Sequence, residues 1–501
     1  MAASLIGIVR TTTQLAHQQR GMAGGGRWLR AGALLTALAA SACNTVSSVT
    51  DTLLGSGNAP AQGQPGYVQG FLGAAVADEP RAALAAREVL SAGGSAADAA
   101  VALGFVLSVT LPSRAGLGGG GACLAYASDK KSANGGVPEA VLFTPVAPSV
   151  ISNADRPAAV PMLPRGLYLL HARYGSLPFE GLVAPAEQLA RFGTPAPRAL
   201  VRDIALVSGP LLADPNARAV FSQNGTPLAE GQTLIQPDLA ATLSRIRVAG
   251  VGDLYTGILA RQVVQASPKA GGPLSLADLN AALPRLAPAI VLPNRYDKVA
   301  FLPPPADGGL AAAAGFAVLQ HDPSALGPAT ARALAVAARW RQGGADAQAL
   351  LASTSLQEVG LPPLPASTSF ATLDKKGNAV ACALSMDNLF GTGRVLPGLG
   401  VLLAASPAAV PTPLYAAAIA WNENTHAFRA TVGGSGQAGA PMAVAVGMLD
   451  ALRSAQPMPA AVPDPGRANV ISCPNYLPGE NGSCAWAVDP REAGLAAGGG
   501  T

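Results

Sequence analysis

Ser367-Thr368-Ser369-Phe370-Ala371-Thr372-Leu373-Asp374-Lys375-Lys376-Gly377-Asn378-Ala379-Val380 is the stretch on which the reading of this chain turns, and Phe390-Gly391-Thr392-Gly393 follows it closely. Hydroxyl residues open a strand, Gly377-Asn378 makes a turn, and a second strand runs on towards Ser385, so the segment spells a β-hairpin. Packing gives no reason to cluster hydroxyls at the start of a buried strand. Such a cluster suits a nucleophile that becomes a new chain N-terminus, where the freed α-amine serves as its own general base.

The hairpin resembles the signature of the γ-glutamyltranspeptidase family of N-terminal-nucleophile hydrolases, T-T-H-x-S-x-x-D-x-x-G-N-A-V followed by F-G-[ST]-G. Further matches occur in the family's order: Val76-Ala77-Asp78-Glu79-Pro80, Gly93-Gly94-Ser95-Ala96-Ala97-Asp98, Gly116 to Gly121, Pro227 to Gly231, Gln236 to Leu239, Leu274 to Leu279 and Pro303 to Gly309. The resemblance implies a four-layer αββα sandwich, an α/β fold. It also implies self-cleavage, with the first residue of the new N-terminus as the nucleophile.

Counting back from Asp374, Gly377 and Asn378 puts Ser367 at that position, with Thr368 the alternative if the register slips by one. The resemblance assigns Ser385 to orient the nucleophile, and the Gly436-Gln437 loop to offer backbone N–H groups to an oxyanion. Substrate recognition departs from the family pattern. Thr144 stands where the family has an arginine, Asp387 replaces an asparagine, and Tyr415 falls at a serine pair. Losing a guanidinium–carboxylate contact removes a strong charge-assisted interaction. Arg114 is a candidate replacement cation, with a structural role as its plainer reading. Three readings stay open: a γ-glutamyl transferase or hydrolase, an acylase for a different acyl group, and a non-catalytic envelope lipoprotein. The expected substrate is a small amide or peptide, and the cleaved halves are expected to stay together.

Composition narrows the field. Half of the 501 residues are hydrophobic and 12% are charged, while 58 Gly and 43 Pro point to a turn-rich chain of small residues. The formal charge of +4 is scattered, with no basic stripe, so nucleic acid is not an expected partner. No Gly-Lys-Ser/Thr follows the glycines at 116–121, so close backbone packing is expected there rather than a phosphate loop. His17, His171, His321 and His426 lack ligand spacing, so no metal, cofactor or Ser-His-Asp relay is expected.

The N-terminus reads as an export signal. Arg27 to Arg30 is a basic segment, Ala31 to Ala40 an apolar one, and Ser41-Ala42-Cys43 ends a lipobox-like site. Lipidation of Cys43, and so a membrane anchor, stands beside simple cleavage near Ala42, and a usual signal peptide would begin at Met22. Destination is therefore periplasmic or membrane-anchored. The expected divisions are a leader over 1–43, a tether over 44–66, a large-subunit-like segment over 67–366, a small-subunit-like segment over 367–456 and a Pro/Gly-rich tail over 457–501. Cys473 and Cys484 are expected to tie that tail by a disulfide. Cys123 and Cys382 lie in apolar runs and read as buried small hydrophobes.

Overall fold

The computed structural model describes residues 71–498, apart from 133, 152, 354, 357–359 and 480–482. The readings for Cys43, the leader and the tether fall outside these residues. Among the described residues thirteen strands build the two large sheets: β1 Gly73–Ala77, β2 Gly120–Tyr126, β3 Glu139–Phe143, β4 Arg285–Pro288, β5 Ile290–Asn294, β6 Asp297–Phe301, β7 Thr368–Asp374, β8 Ala379–Ser385, β9 Ala416–Asn422, β10 Ala427–Ser435, β11 Arg467–Leu477, β12 Ala485–Val488 and β13 Leu495–Gly498. The first sheet runs β13-β1-β7-β8-β2-β3-β4 and the second β12-β11-β10-β9-β6-β5. Every pairing within them is antiparallel.

Side-chain alternation on these strands makes the layers. On β8, Ala379, Ala381 and Ala383 face the second sheet, while Val380, Cys382 and Leu384 face the helices. Residues two apart share a face, so one strand feeds two cores. Alanine at so many inward positions lets the two sheets approach closely around Tyr126, Trp421 and Phe428. Outside the first sheet lie α1 Pro80–Ser91, α2 Ala96–Thr110, α3 Leu163–Tyr174 and α4 Phe179–Phe192. Outside the second lie α5 Asp307–His321, α6 Leu326–Arg341 and α7 Ala440–Arg453. The result is the four-layer αββα sandwich that the resemblance implies.

Helix α2 is buried at all 15 positions, which is what an uninterrupted small and apolar sequence requires of a helix. Its start is fixed by a capping box: the Ser95 hydroxyl accepts from the Asp98 N–H, and Asp98 accepts from the Ser95 N–H. The same N-terminus is tied to the hairpin. Asp374 accepts from the N–H groups of Ala96, Lys376 and Asn378 and from the Asn378 amide, while Gly377 takes a positive φ of 85°. The Asp-x-x-Gly-Asn part of the hairpin sequence is therefore a turn anchored to a helix end.

The segment read as a tail is instead integral to both sheets. Strands β11 and β12 extend the second sheet beyond β10, and β13 closes the first beside β1. Cys473 and Cys484 are joined in a disulfide. Cys123 and Cys382 differ from expectation: they are Cα partners on neighbouring strands and are also joined. An apolar run hides this, because only the pairing register brings the two thiols face to face.

Candidate active site

One row across the ends of four strands carries the candidate residues. Thr368 pairs with Leu384 and Ser385 pairs with Gly120, so continuing the register sets Ser367 opposite Ser385. Gly121 pairs with Phe143, which sets Thr144 beyond Gly120, two strand spacings or about 10 Å from Ser385. The glycines beneath the row are there for lack of space. A Cβ on Gly120 would stand 2.3 Å from the Phe143 carbonyl oxygen, and one on Gly119 would stand 2.7 Å from that of Ser385.

Ser367 is 2% exposed and Thr368 is fully buried. The Ser385 hydroxyl accepts from the Asp387 N–H at 3.0 Å, which leaves its own proton to donate to the Ala366 carbonyl oxygen at 2.8 Å. That carbonyl belongs to the peptide bond preceding Ser367. A donor thus already sits on the oxygen that would take negative charge if the Ser367 hydroxyl added to the Ala366 carbonyl carbon.

The Thr368 hydroxyl is engaged elsewhere. It donates to Asp78 Oδ2 at 2.9 Å, and the Ser369 N–H reaches the same oxygen at 3.0 Å. Ser435 at the end of β10 adds a third donor at 3.3 Å, and Asn469 on β11 donates to Asp78 Oδ1 at 2.7 Å. Asn469 also holds the carbonyl and hydroxyl oxygens of Ser369. Asp78 is 2% exposed, so the cost of burying its charge is met by these hydrogen bonds. The carboxylate joins the start of β7 in one sheet to the ends of β10 and β11 in the other. Sequence reasoning missed Asp78 and Asn469 as site residues, although Asp78 lay inside a quoted motif.

Beyond Ser435 the chain turns through Gly436 and Gln437, both with positive φ, of 103° and 53°. A Cβ on Gly436 would stand 2.0 Å from the Pro465 carbonyl oxygen, so only glycine fits. Gln437 is exposed, and the turn leads directly into α7.

Asp387, fully buried, accepts from the Tyr415 hydroxyl at 3.1 Å, and its second oxygen has no hydrogen-bond partner among the described residues. Burial lifts its pKa to about 7, against the opposing pull of the Tyr415 hydrogen bond and of Arg341. Burial, reinforced by the neighbouring Asp387, also raises the Tyr415 phenol. Thr144 is half-buried and brings no charge. Arg114 is not a spare cation: its guanidinium forks onto Asp203 at 2.8 Å through two nitrogens, with Glu492 at 4.0 Å. Arg341 is likewise forked onto Asp307. Among the described residues no cluster of His, Cys, Asp and Glu could hold a metal ion, and no helix is long and apolar enough to cross a membrane.

Comparison with known proteins bears on the family and the fold. The family profile for gamma-glutamyltranspeptidase matches residues 82–353, a span that ends before Ser367. The chain is 29% identical over 370 residues to the glutathione hydrolase proenzyme of Escherichia coli (strain K12), covering 63% of each. It is 31% identical over 276 residues to the acylase ACY 1 proenzyme of Pseudomonas sp. (strain V22), covering 52% of this chain and 50% of that one. The matched part is thus under two thirds of either relative. In three dimensions it is similar to cephalosporin acylase from Bacillus halodurans, with a TM-score of 0.69 at 20% identity, over 87% of this chain and 98% of that one. That likeness speaks for the fold.

Proposed function

The chain belongs to the γ-glutamyltranspeptidase family, and on that premise we propose that it is an exported, self-cleaving amidohydrolase or acyltransferase with Ser367 as its N-terminal nucleophile. The observation that carries this reading is the Ser385 hydroxyl, 2.8 Å from the Ala366 carbonyl oxygen and oriented by the Asp387 N–H. In the first step the Ser367 oxygen adds to that carbonyl carbon, its proton passes to the Ser367 nitrogen, the C–N bond breaks, and the acyl group of Ala366 passes from nitrogen to oxygen. Water then hydrolyses the ester, leaving a carboxylate on Ala366 and a free α-amine on Ser367. That amine takes the proton of the Ser367 hydroxyl when an external amide is attacked and gives it to the amine that leaves as the C–N bond breaks, and the acyl-enzyme then passes its acyl group to water or to an amine.

Thr368 is the weaker candidate because its hydroxyl is bonded to Asp78 inside the sandwich. The Gly436-Gln437 turn is assigned to the oxyanion of the external reaction, where backbone N–H donors tolerate the change to Gln437.

The acyl group is assigned as an amide acyl without a free α-carboxylate. Thr144 offers no charge, Arg114 and Arg341 are each forked onto an aspartate, and Asp387 would repel a carboxylate once ionised. The test is a matched pair of p-nitroanilides, one γ-glutamyl and one carrying an uncharged acyl chain of similar length, offered to the processed protein. Faster turnover of the uncharged anilide is expected. Preference for the γ-glutamyl compound would overturn the substrate assignment, and turnover of neither would overturn the amidase reading.

A further inference from the structure

We propose that the mature protein is a covalent heterodimer, its two cleavage products joined by the Cys123–Cys382 disulfide through the middle of one sheet. The proposal rests on cleavage before Ser367. Cys123 lies on β2, upstream of that bond, and Cys382 on β8, downstream of it. The two are Cα partners in the antiparallel register, both face the helix layer, and both are fully buried. Cys473–Cys484 lies entirely downstream. Among the described residues only one disulfide therefore crosses the cleavage point.

The position of the link matters as much as its existence. It sits on the same two strands as the Ser385–Gly120 pair, three residues further in, and so pins the strand that carries Ser385 to the strand of the upstream product. The shared sandwich core also holds the halves, but only while they are folded. With the disulfide, a cleaved molecule unfolds and refolds as one molecule. Without it, unfolding releases two chains, and the melting midpoint becomes dependent on protein concentration. Formation removes two protons and two electrons from the thiols. A disulfide-bearing oxidant takes them up by thiol–disulfide exchange and is itself reduced to two thiols, which calls for an oxidising compartment.

The experiment uses protein made under oxidising conditions, with thiols alkylated in denaturant before analysis by non-reducing electrophoresis and intact mass. One species is expected, heavier than the uncut chain by one water, which dithiothreitol splits into two fragments. Separate fragments without reductant, with Cys123 and Cys382 alkylated, would overturn the proposal. A Ser367→Ala chain with a protease site inserted after the exposed Gly360 decides the disulfide independently of self-cleavage. After protease treatment its halves must stay joined until reduced, and halves that part in denaturant alone would refute the link. If the wild-type chain stays uncut while these halves stay joined, the self-cleavage reading fails, the natural heterodimer fails with it, and the bridge stands. Processed Cys123→Ala/Cys382→Ala protein should melt with a midpoint that rises with concentration, whereas the wild-type midpoint should not move. Identical behaviour of the two would contradict the proposal.

Discussion

Replacing Asp387 by asparagine asks how the interior treats one buried carboxyl. Burial raises its pKa from 3.8 to about 7, despite the Tyr415 hydrogen bond and the Arg341 charge. In the unfolded chain the same group titrates near its ordinary value, about 3.9. Between about pH 4 and pH 7 the native chain therefore holds a proton that the unfolded chain has released, and stability falls as pH rises. The rise from 3.8 to about 7 is worth about 4 kcal/mol, fully retained below about pH 4 and lost by about pH 7.

Asparagine copies the neutral acid, since its amide oxygen can accept from the Tyr415 hydroxyl and it has no charge to acquire. In a Ser367→Ala background that stays uncleaved, Asp387→Asn should match its parent at pH 4. At pH 8 it should exceed the parent by an amount on the order of 4 kcal/mol. Urea unfolding at both pH values measures the gap. Burial also raises Glu79 and Asp374, but both are common to parent and variant and cancel in the comparison. A gap that is the same at pH 4 and pH 8, or a variant weaker at pH 8, would refute the reasoning.

Two further substitutions test the row of site residues. Ser385→Ala removes the donor on the Ala366 carbonyl and should slow self-cleavage by about 10²–10³-fold, followed by intact mass over time, while circular dichroism stays native. Asp78→Asn turns an amide donor towards the Ser369 N–H or the Asn469 amide, so it should cost about 1–3 kcal/mol in urea unfolding and also slow cleavage. Unchanged cleavage in either variant would remove that residue from the processing machinery.

What was legible in the sequence was local. The β7–β8 hairpin follows from the Gly377-Asn378 turn between two strand-like runs, all within a few residues. What was hidden needed distant partners. Asp78 and Asn469 meet across 391 positions, and no spacing rule connects them. Strand β9 reads Ala-Ala-Ala-Ile-Ala-Trp-Asn, a composition with little strand preference, and the sandwich core imposes its form. Strands β11 to β13 lie among Pro and Gly residues that resemble a loop, yet they close both sheets and supply Asn469. The Ser367–Ser385 relation was legible only as a resemblance, and the register gives it a geometric basis.

The most direct test of the central claim is N-terminal sequencing and intact mass of the folded protein beside Ser367→Ala. The account predicts a downstream fragment that begins Ser367-Thr368-Ser369, formed by the wild type and absent from the variant. A fragment beginning at Thr368, or a wild-type chain that remains whole after folding, would contradict it.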